Sequence, residues 1–278
     1  MLQPWIYAIQ MFFLTEAGVS LKEWIPMMIR IGTFQDETPN NLSSNDVRFG
    51  GIKKLVRGIA KLVFMRLVLD RFLPKDLSVI LRYPFYDPNA MFLTYILAMR
   101  IYCMMSIVDV LMGLLQILFL VRFQDLFDNP FMSLSPKDFW NRRWNRAVRS
   151  MFNRFIFSKA VTSKKKKELK GKSKGQLPFL SSPLICGLAV FFISGVFHDF
   201  MVGAATRVIT LEMTAFFMIH GFAVALEVIL TKKIQLPNSL VLRIVCRVLT
   251  TIFFITTGRL FLSPILRSEI FLRLASRF

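Results

Sequence analysis

The stretch "LPFLSSPLICGLAVFFISGVF", Leu177 to Phe197, runs for 21 residues without a charged side chain and ends directly in His198-Asp199. About 20 apolar residues suffice for a helix to cross the hydrocarbon of a bilayer. The run therefore predicts a membrane span. The ionisable pair at its end needs a reason, because such groups are costly at membrane depth and face a cavity or the bundle interior.

Outward from this run the same pattern recurs. Ile101 to Val121 carries only Asp109 as a charge, and Met213 to Leu230 only Glu227. A further span is expected from about Leu240 to Leu262, with Arg243, Arg247 and Arg259 inside it. The chain of 278 residues is 54% hydrophobic, contains 29 Phe and has a mean hydropathy of +0.51. Lipid offers the backbone no hydrogen-bond partners, so repeated spans of this length predict helices. The expected fold class is all-α, a polytopic membrane helical bundle.

The net charge of +19 does not point to nucleic acid, because the basic residues concentrate beside apolar runs, as cytoplasmic flanks of spans do. Cys103, Cys186 and Cys246 sit in apolar runs at wide spacing, which fits buried thiols rather than a disulfide framework or a metal site. No metal site is expected at His220 and Glu227 either, since no second carboxylate or cysteine lies near them in sequence. No Gly-rich phosphate loop and no G-x-S-x-G elbow occurs, and the start has no basic region of the kind that opens a cleaved signal peptide.

Along the chain, residues 1–82 hold weak spans or interfacial helices. Ile6 to Leu14 is too short to span alone, Gln35 to Asp46 is polar and loop-like, and Ile52 to Phe72 alternates apolar and basic residues at helical spacing. A long apolar block, Met91 to Val121, is interrupted by Arg100. Lys164 to Lys174, "KKKKELKGKSK", cannot enter hydrocarbon and predicts a cytoplasmic loop.

Ser133 to Phe157 has the marks of an amphipathic interfacial helix. Ser135 caps it, Pro136 suits its first turn and Asp138 complements its dipole. At 100° per residue, Trp140, Trp144, Val148, Phe152 and Phe155 share one side, opposite Arg142, Arg143, Arg146 and Arg149. Asn141 and Asn145 fall on the apolar side, where an amide is either a satisfied structural group or faces a polar cavity. His198 poses the same choice. Ser194 and Gly195 lie beside it at helical spacing and leave room for a close helix or for a substrate. Asp199 points about 100° away and is free to pair with an arginine such as Arg207, or with Glu227 as a carboxylate pair.

Three segments together resemble a known family. "SLSPKDFWNRRWN" (Ser133 to Asn145) is similar to the "DFWGRRWN" signature of plant-type wax synthases. "FFISGVFHDF" (Phe191 to Phe200) resembles their "VSGLMHE" segment, with Asp199 in place of the usual Glu. "LEMTAFFMIHGFAVALE" (Leu211 to Glu227) resembles their "EMTxFFxLHG" stretch. These proteins are long-chain-alcohol O-fatty-acyltransferases related to the membrane-bound O-acyltransferase (MBOAT) superfamily. The likeness covers about Tyr83 to Pro264 and leaves residues 265–278 as a basic tail.

The resemblance implies an MBOAT-like bundle in the endoplasmic reticulum and transfer of a fatty acyl group from acyl-CoA to a lipid alcohol. Wax ester synthesis is the family default; sterol, diacylglycerol and terpenoid acceptors, or a non-catalytic lipid-binding paralogue, are the alternatives. It implies His198 and Asn145 as catalytic residues. Trp140, Asn141, Arg142, Arg143, Trp144, Ser194, Gly195 and His220 are implied as substrate-binding residues. No cofactor beyond acyl-CoA as co-substrate is implied; membrane lipids are partners, nucleic acid is not, and homo-oligomerisation stays open. A tag at Gly171 is expected to be cleaved by protease added outside sealed microsomes; protection until detergent is added would reverse the orientation.

Overall fold

The structure is a computed structural model that describes residues 43–146, 182–231 and 239–269. The Ile6 to Leu14 run, most of the Gln35 to Asp46 loop, the second half of the expected amphipathic helix and the Lys164 to Lys174 segment lie outside the described residues. The described chain is helical: α1 (Ser44–Leu67), α2 (Val79–Arg82), α3 (Pro88–Met104), α4 (Ser106–Phe119), α5 (Pro136–Asp138), α6 (Pro183–Thr206), α7 (Glu212–Thr231) and α8 (Leu240–Leu266).

Local chemistry sets these boundaries. Ser43 and Asp46 form a reciprocal capping box at the start of α1. Asp87 accepts from the N–H groups of Asn89 and Ala90, with Pro88 in the first turn of α3. Ser239 accepts from Leu242 N–H at the start of α8. Among the described residues, four segments are long and apolar enough to cross a membrane: Pro88–Phe119, α6, α7 and α8. The long apolar block is two helices that meet at Met105, whose N–H still bonds Ile101 O. The outward faces carry large apolar side chains such as Phe192, Phe222, Leu226, Val241 and Leu249. Such faces suit lipid, and the chain is an integral membrane protein.

The polar side chains turn inward instead. On α1, Lys54, Arg57 and Lys61 face α4, while Phe49, Ile52, Val56 and Ile59 are exposed. Lys61 lies 3.4 Å from Asp109, and Arg57 donates to Asp125 at 2.7 Å. Lys54 donates to the Phe123 carbonyl. Burial would raise the Asp125 carboxyl, but the Arg57 hydrogen bond and charge outweigh it and hold the group below the usual carboxylate range. Arg100, which interrupts the apolar block, lies in α3 five residues ahead of the break at Met105, buried and paired with Asp70 at 2.8 Å. Arg259 of α8 donates to the carbonyls of Leu81 at 2.9 Å and Pro84 at 3.0 Å, tying α8 to the chain ahead of α3.

The bundle packs α1 on α4, α6 on α7, α7 on α8 and α8 on α3. The α1–α4 crossing is a contact of backbones. A Cβ on Gly113 would stand 2.8 Å from Gly51 O and 2.9 Å from Leu55 N, so only glycine fits. Gly113→Leu is expected to destabilise the fold by roughly 1–3 kcal/mol or more through overpacking. A lowered Tm for the detergent-solubilised protein checks this; an unchanged Tm would contradict the close crossing.

Candidate active site

The segment from Ser135 to Asn145 does not form one helix with the residues that follow, as its periodicity predicts. The start is as expected: Ser135 Oγ accepts from Asp138 N–H at 3.1 Å, and Pro136 occupies the first turn. The winding then widens into a π turn over Phe139–Arg143, where Trp144 N–H bonds Phe139 O at 2.9 Å. Trp144 is extended, and Asn145 adopts φ 43°, the left-handed region that asparagine tolerates better than most residues. Asp128 N–H bonds Arg143 O and Arg146 N–H bonds Leu126 O, so this break is pinned to the loop ahead of it. The helical-wheel placement of Asn145 therefore does not apply; a backbone turn delivers it to the cavity.

Arg142 and Arg143 are likewise placed differently from expectation. Both reach back to Asp138, at 3.0 and 2.8 Å, and Arg143 also donates to the carbonyls of Asp128 and Asn129. These bonds brace the turn, and neither guanidinium lines the cavity described below.

His198 and Asp199 face different ways on α6. Asp199 is buried and accepts from Thr214 N–H at 2.8 Å, Thr214 Oγ1 at 2.5 Å and Met213 N–H at 3.4 Å. It serves as the cap of α7 and pairs with neither Arg207 nor Glu227. Glu227 accepts from Lys137 N–H at 2.9 Å, thirteen residues or about 20 Å farther along α7. Gly195 does not clear space for substrate: a Cβ there would stand 2.6 Å from Thr214 Cα, so it permits the close α6–α7 approach.

His198 Nδ1 lies 2.6 Å from Ser194 O. A carbonyl only accepts, so the neutral ring carries its proton on Nδ1, and Nε2 keeps its lone pair. The ring packs against Phe217, with centroids 4.8 Å apart, and against Phe261 at 5.5 Å.

His220 is fully buried and both of its nitrogens are engaged. Trp140 Nε1–H donates to its Nδ1 at 3.1 Å. Indole nitrogen only donates, so the His220 proton sits on Nε2, which donates to Thr257 Oγ1 at 2.8 Å. Thr257 Oγ1–H in turn donates to Phe253 O at 2.7 Å. The chain of bonds ties the π turn to α7 and α8. His220 thus acts behind the wall, and Trp140 is the wall.

That wall borders a cavity of about 790 Å³ between α3, α6, α7, α8 and the π turn. His198, Asn145, Trp140, Asn141, Trp144 and Ser194 all line it. Gly195, Arg142, Arg143 and His220 do not. Sequence reasoning missed Phe217, Phe261 and the contribution of α3 through Thr94 and Tyr95. Phe217 stands in the "FFMIH" stretch and carried a signal; Phe261, 63 residues from His198, carried none.

Residues 123–219 match the family model described as "Membrane bound O-acyl transferase family", a segment holding Trp140, Asn145, His198 and Asp199. Three similar proteins come from Arabidopsis thaliana. "Probable long-chain-alcohol O-fatty-acyltransferase 3" is 31% identical over 151 residues, 54% of this chain and 42% of that protein. "Probable long-chain-alcohol O-fatty-acyltransferase 6" is 31% identical over 140 residues, 50% of this chain and 37% of that protein. "Probable long-chain-alcohol O-fatty-acyltransferase 2" is 26% identical over 181 residues, 64% of this chain and 49% of that protein. The chain spans half or less of the length of these curated relatives.

His220→Phe is expected to lower stability by about 1–3 kcal/mol, because it strands the buried Trp140 N–H. Thermal unfolding of this variant, of Trp140→Phe and of the double variant checks the coupling: the double should cost less than the sum of the singles. Additive losses would show that the Trp140–His220 bond carries no energy.

Proposed function

We propose that this chain, whose residues 123–219 match the membrane-bound O-acyltransferase family model, transfers a fatty acyl group from acyl-CoA to the hydroxyl of a lipid alcohol. Wax ester synthesis is the preferred reading because the similar proteins are named for long-chain alcohols. The observation that carries the proposal is the state of His198. It stands on an apolar cavity with Nδ1–H committed to Ser194 O and Nε2 left as a base.

The reaction then needs few parts. Nε2 of His198 takes the hydroxyl proton as the alcohol oxygen attacks the thioester carbonyl carbon. The carbon–oxygen bond forms, and the carbonyl oxygen becomes an oxyanion. Asn145, on the same cavity, supplies an amide N–H donor for that charge. Collapse of the intermediate breaks the carbon–sulfur bond, and the imidazolium returns its proton to the departing CoA thiolate. CoA is a good leaving group, so no acyl-enzyme is needed. The apolar walls keep water from hydrolysing the thioester. Trp140, Asn141 and Trp144 belong to the cavity wall, and His220 supports Trp140 from behind.

The test is ester synthesis in cells lacking neutral-lipid acyltransferases, fed fatty alcohols, sterols or diacylglycerols. Wax esters should appear with fatty alcohols. At equal protein level, His198→Ala should lower the rate by roughly 10²–10⁴-fold, and Asn145→Ala by roughly 10²–10³-fold. Near-normal synthesis by His198→Ala would overturn the assignment. Esters made only from sterols or diacylglycerols would replace the acceptor.

A further inference from the structure

The cavity has a direction. On α6 its lining includes Leu184, Gly187, Leu188, Phe191, Ser194 and His198. Gly187 and His198 are eleven residues apart, three turns plus about 20°, so they share one face of the helix. On α7 the lining runs from Phe216 to Val228, and on α8 from Thr250 to Leu262. Phe216 meets Phe261 and His220 meets Phe253, so α7 and α8 run antiparallel and their linings span the same length. The space is therefore elongated along the helices. His198, Phe217 and Phe261 mark one end, and Leu184, Val228 and Thr250 mark the other.

Gly187 is the gap in the α6 strip. A Cβ placed there meets nothing among the described residues within 4 Å. The other glycines of the α6–α7 pair behave differently: a Cβ at Gly195 would stand 2.6 Å from Thr214, and one at Gly221 would stand 2.9 Å from Phe191. Those glycines serve helix contact. Among the described residues Gly187 serves no helix contact; it interrupts a helix at a cost in propensity and lines the cavity beside Leu184 and Leu188.

We propose that Gly187 sets the length of the unbranched hydrocarbon chain that the cavity accepts, with the reacting end of the chain at His198. The proposal rests on the acyl-transfer reading for its orientation. The rise from His198 to Gly187 is about 16 Å at 1.5 Å per residue. An extended chain advances roughly 1.2 Å per bond, as a fully extended backbone does over its three bonds per residue. Gly187 therefore lies beside about the thirteenth carbon. A chain of 16 or 18 carbons must pass it to reach Leu184, and any side chain at position 187 projects into that path.

The experiment uses the full chain purified in detergent, as wild type, Gly187→Leu and Gly187→Ala. Both replacements are better helix formers than glycine, and the small Gly187→Ala change keeps the test informative if the larger variant does not fold. Thermal stabilisation is measured with saturated acyl-CoAs of 10 to 18 carbons and, separately, with fatty alcohols of the same lengths. Wild type should be stabilised most by 16- or 18-carbon chains. Gly187→Leu should move the optimum to 12 or 14 carbons and weaken binding of the 18-carbon chain by roughly 100–1,000-fold, at about fourfold per methylene for the four or five displaced. Gly187→Ala should fall between. A shift confined to acyl-CoAs assigns the slot to the donor, and a shift confined to alcohols assigns it to the acceptor. Identical length profiles in all three proteins, or no stabilisation of wild type by either series, would overturn the proposal. Ester formation is measured in parallel: a shifted binding profile without ester synthesis would leave the length limit standing and remove the transfer reaction.

Discussion

The carboxylate of Asp199 joins the two helices on which the site depends. It accepts two backbone N–H groups and one hydroxyl from the first turn of α7. The first N–H groups of a helix have no partner within it, and a negative charge suits that end of the dipole. In hydrocarbon, water offers no substitute for these bonds, so they fix α7 against α6 in one register. Gly195, one turn away, lets the backbones meet. The register places Phe217 against the ring of the neighbouring His198. One residue thus anchors the helix pair while the next is free to face the cavity.

The same economy of polar groups separates the two histidines. His220 has a donor on one nitrogen and an acceptor on the other, and no exposed surface. Its chemistry is spent on holding Trp140 between α7 and α8. His198 has one nitrogen bonded to its own helix and, among the described residues, no hydrogen bond on the other. Elsewhere the structure follows the same rule. Lys54, Arg57 and Lys61 meet Asp109 and Asp125 inside the α1–α4 pair, and the outer face of α1 is apolar.

Much of this was legible in the sequence. The uncharged runs gave the spans, because the cost of charge in lipid is large and shows in single residues. Ser135 and Pro136 marked a helix start through chemistry confined to four residues. Asn145 was legible as an amide out of place, but not as a left-handed turn, because the 100° period continues across the break and bonds to Leu126 and Asp128 decide the backbone there. Arg142 and Arg143 sat on the polar side of the wheel whether they met a ligand or Asp138, and only geometry separates those outcomes. Gly195 and Gly187 are alike in the sequence; one is a helix contact and the other an opening, a difference set entirely by the neighbouring helix.

The clamp of Arg259 on Leu81 and Pro84 links positions 175 to 178 residues apart. α8 also supplies Phe254, Phe261 and Leu262 to the cavity wall. During synthesis, α3, α6 and α7 are therefore in the membrane before the helix that closes their shared space has left the ribosome. Contacts of such long sequence separation form late, after the loop-closure entropy has been met. Until α8 arrives, the cavity is open on the side that Phe254, Phe261 and Leu262 later cover, and His220 still lacks its Thr257 partner.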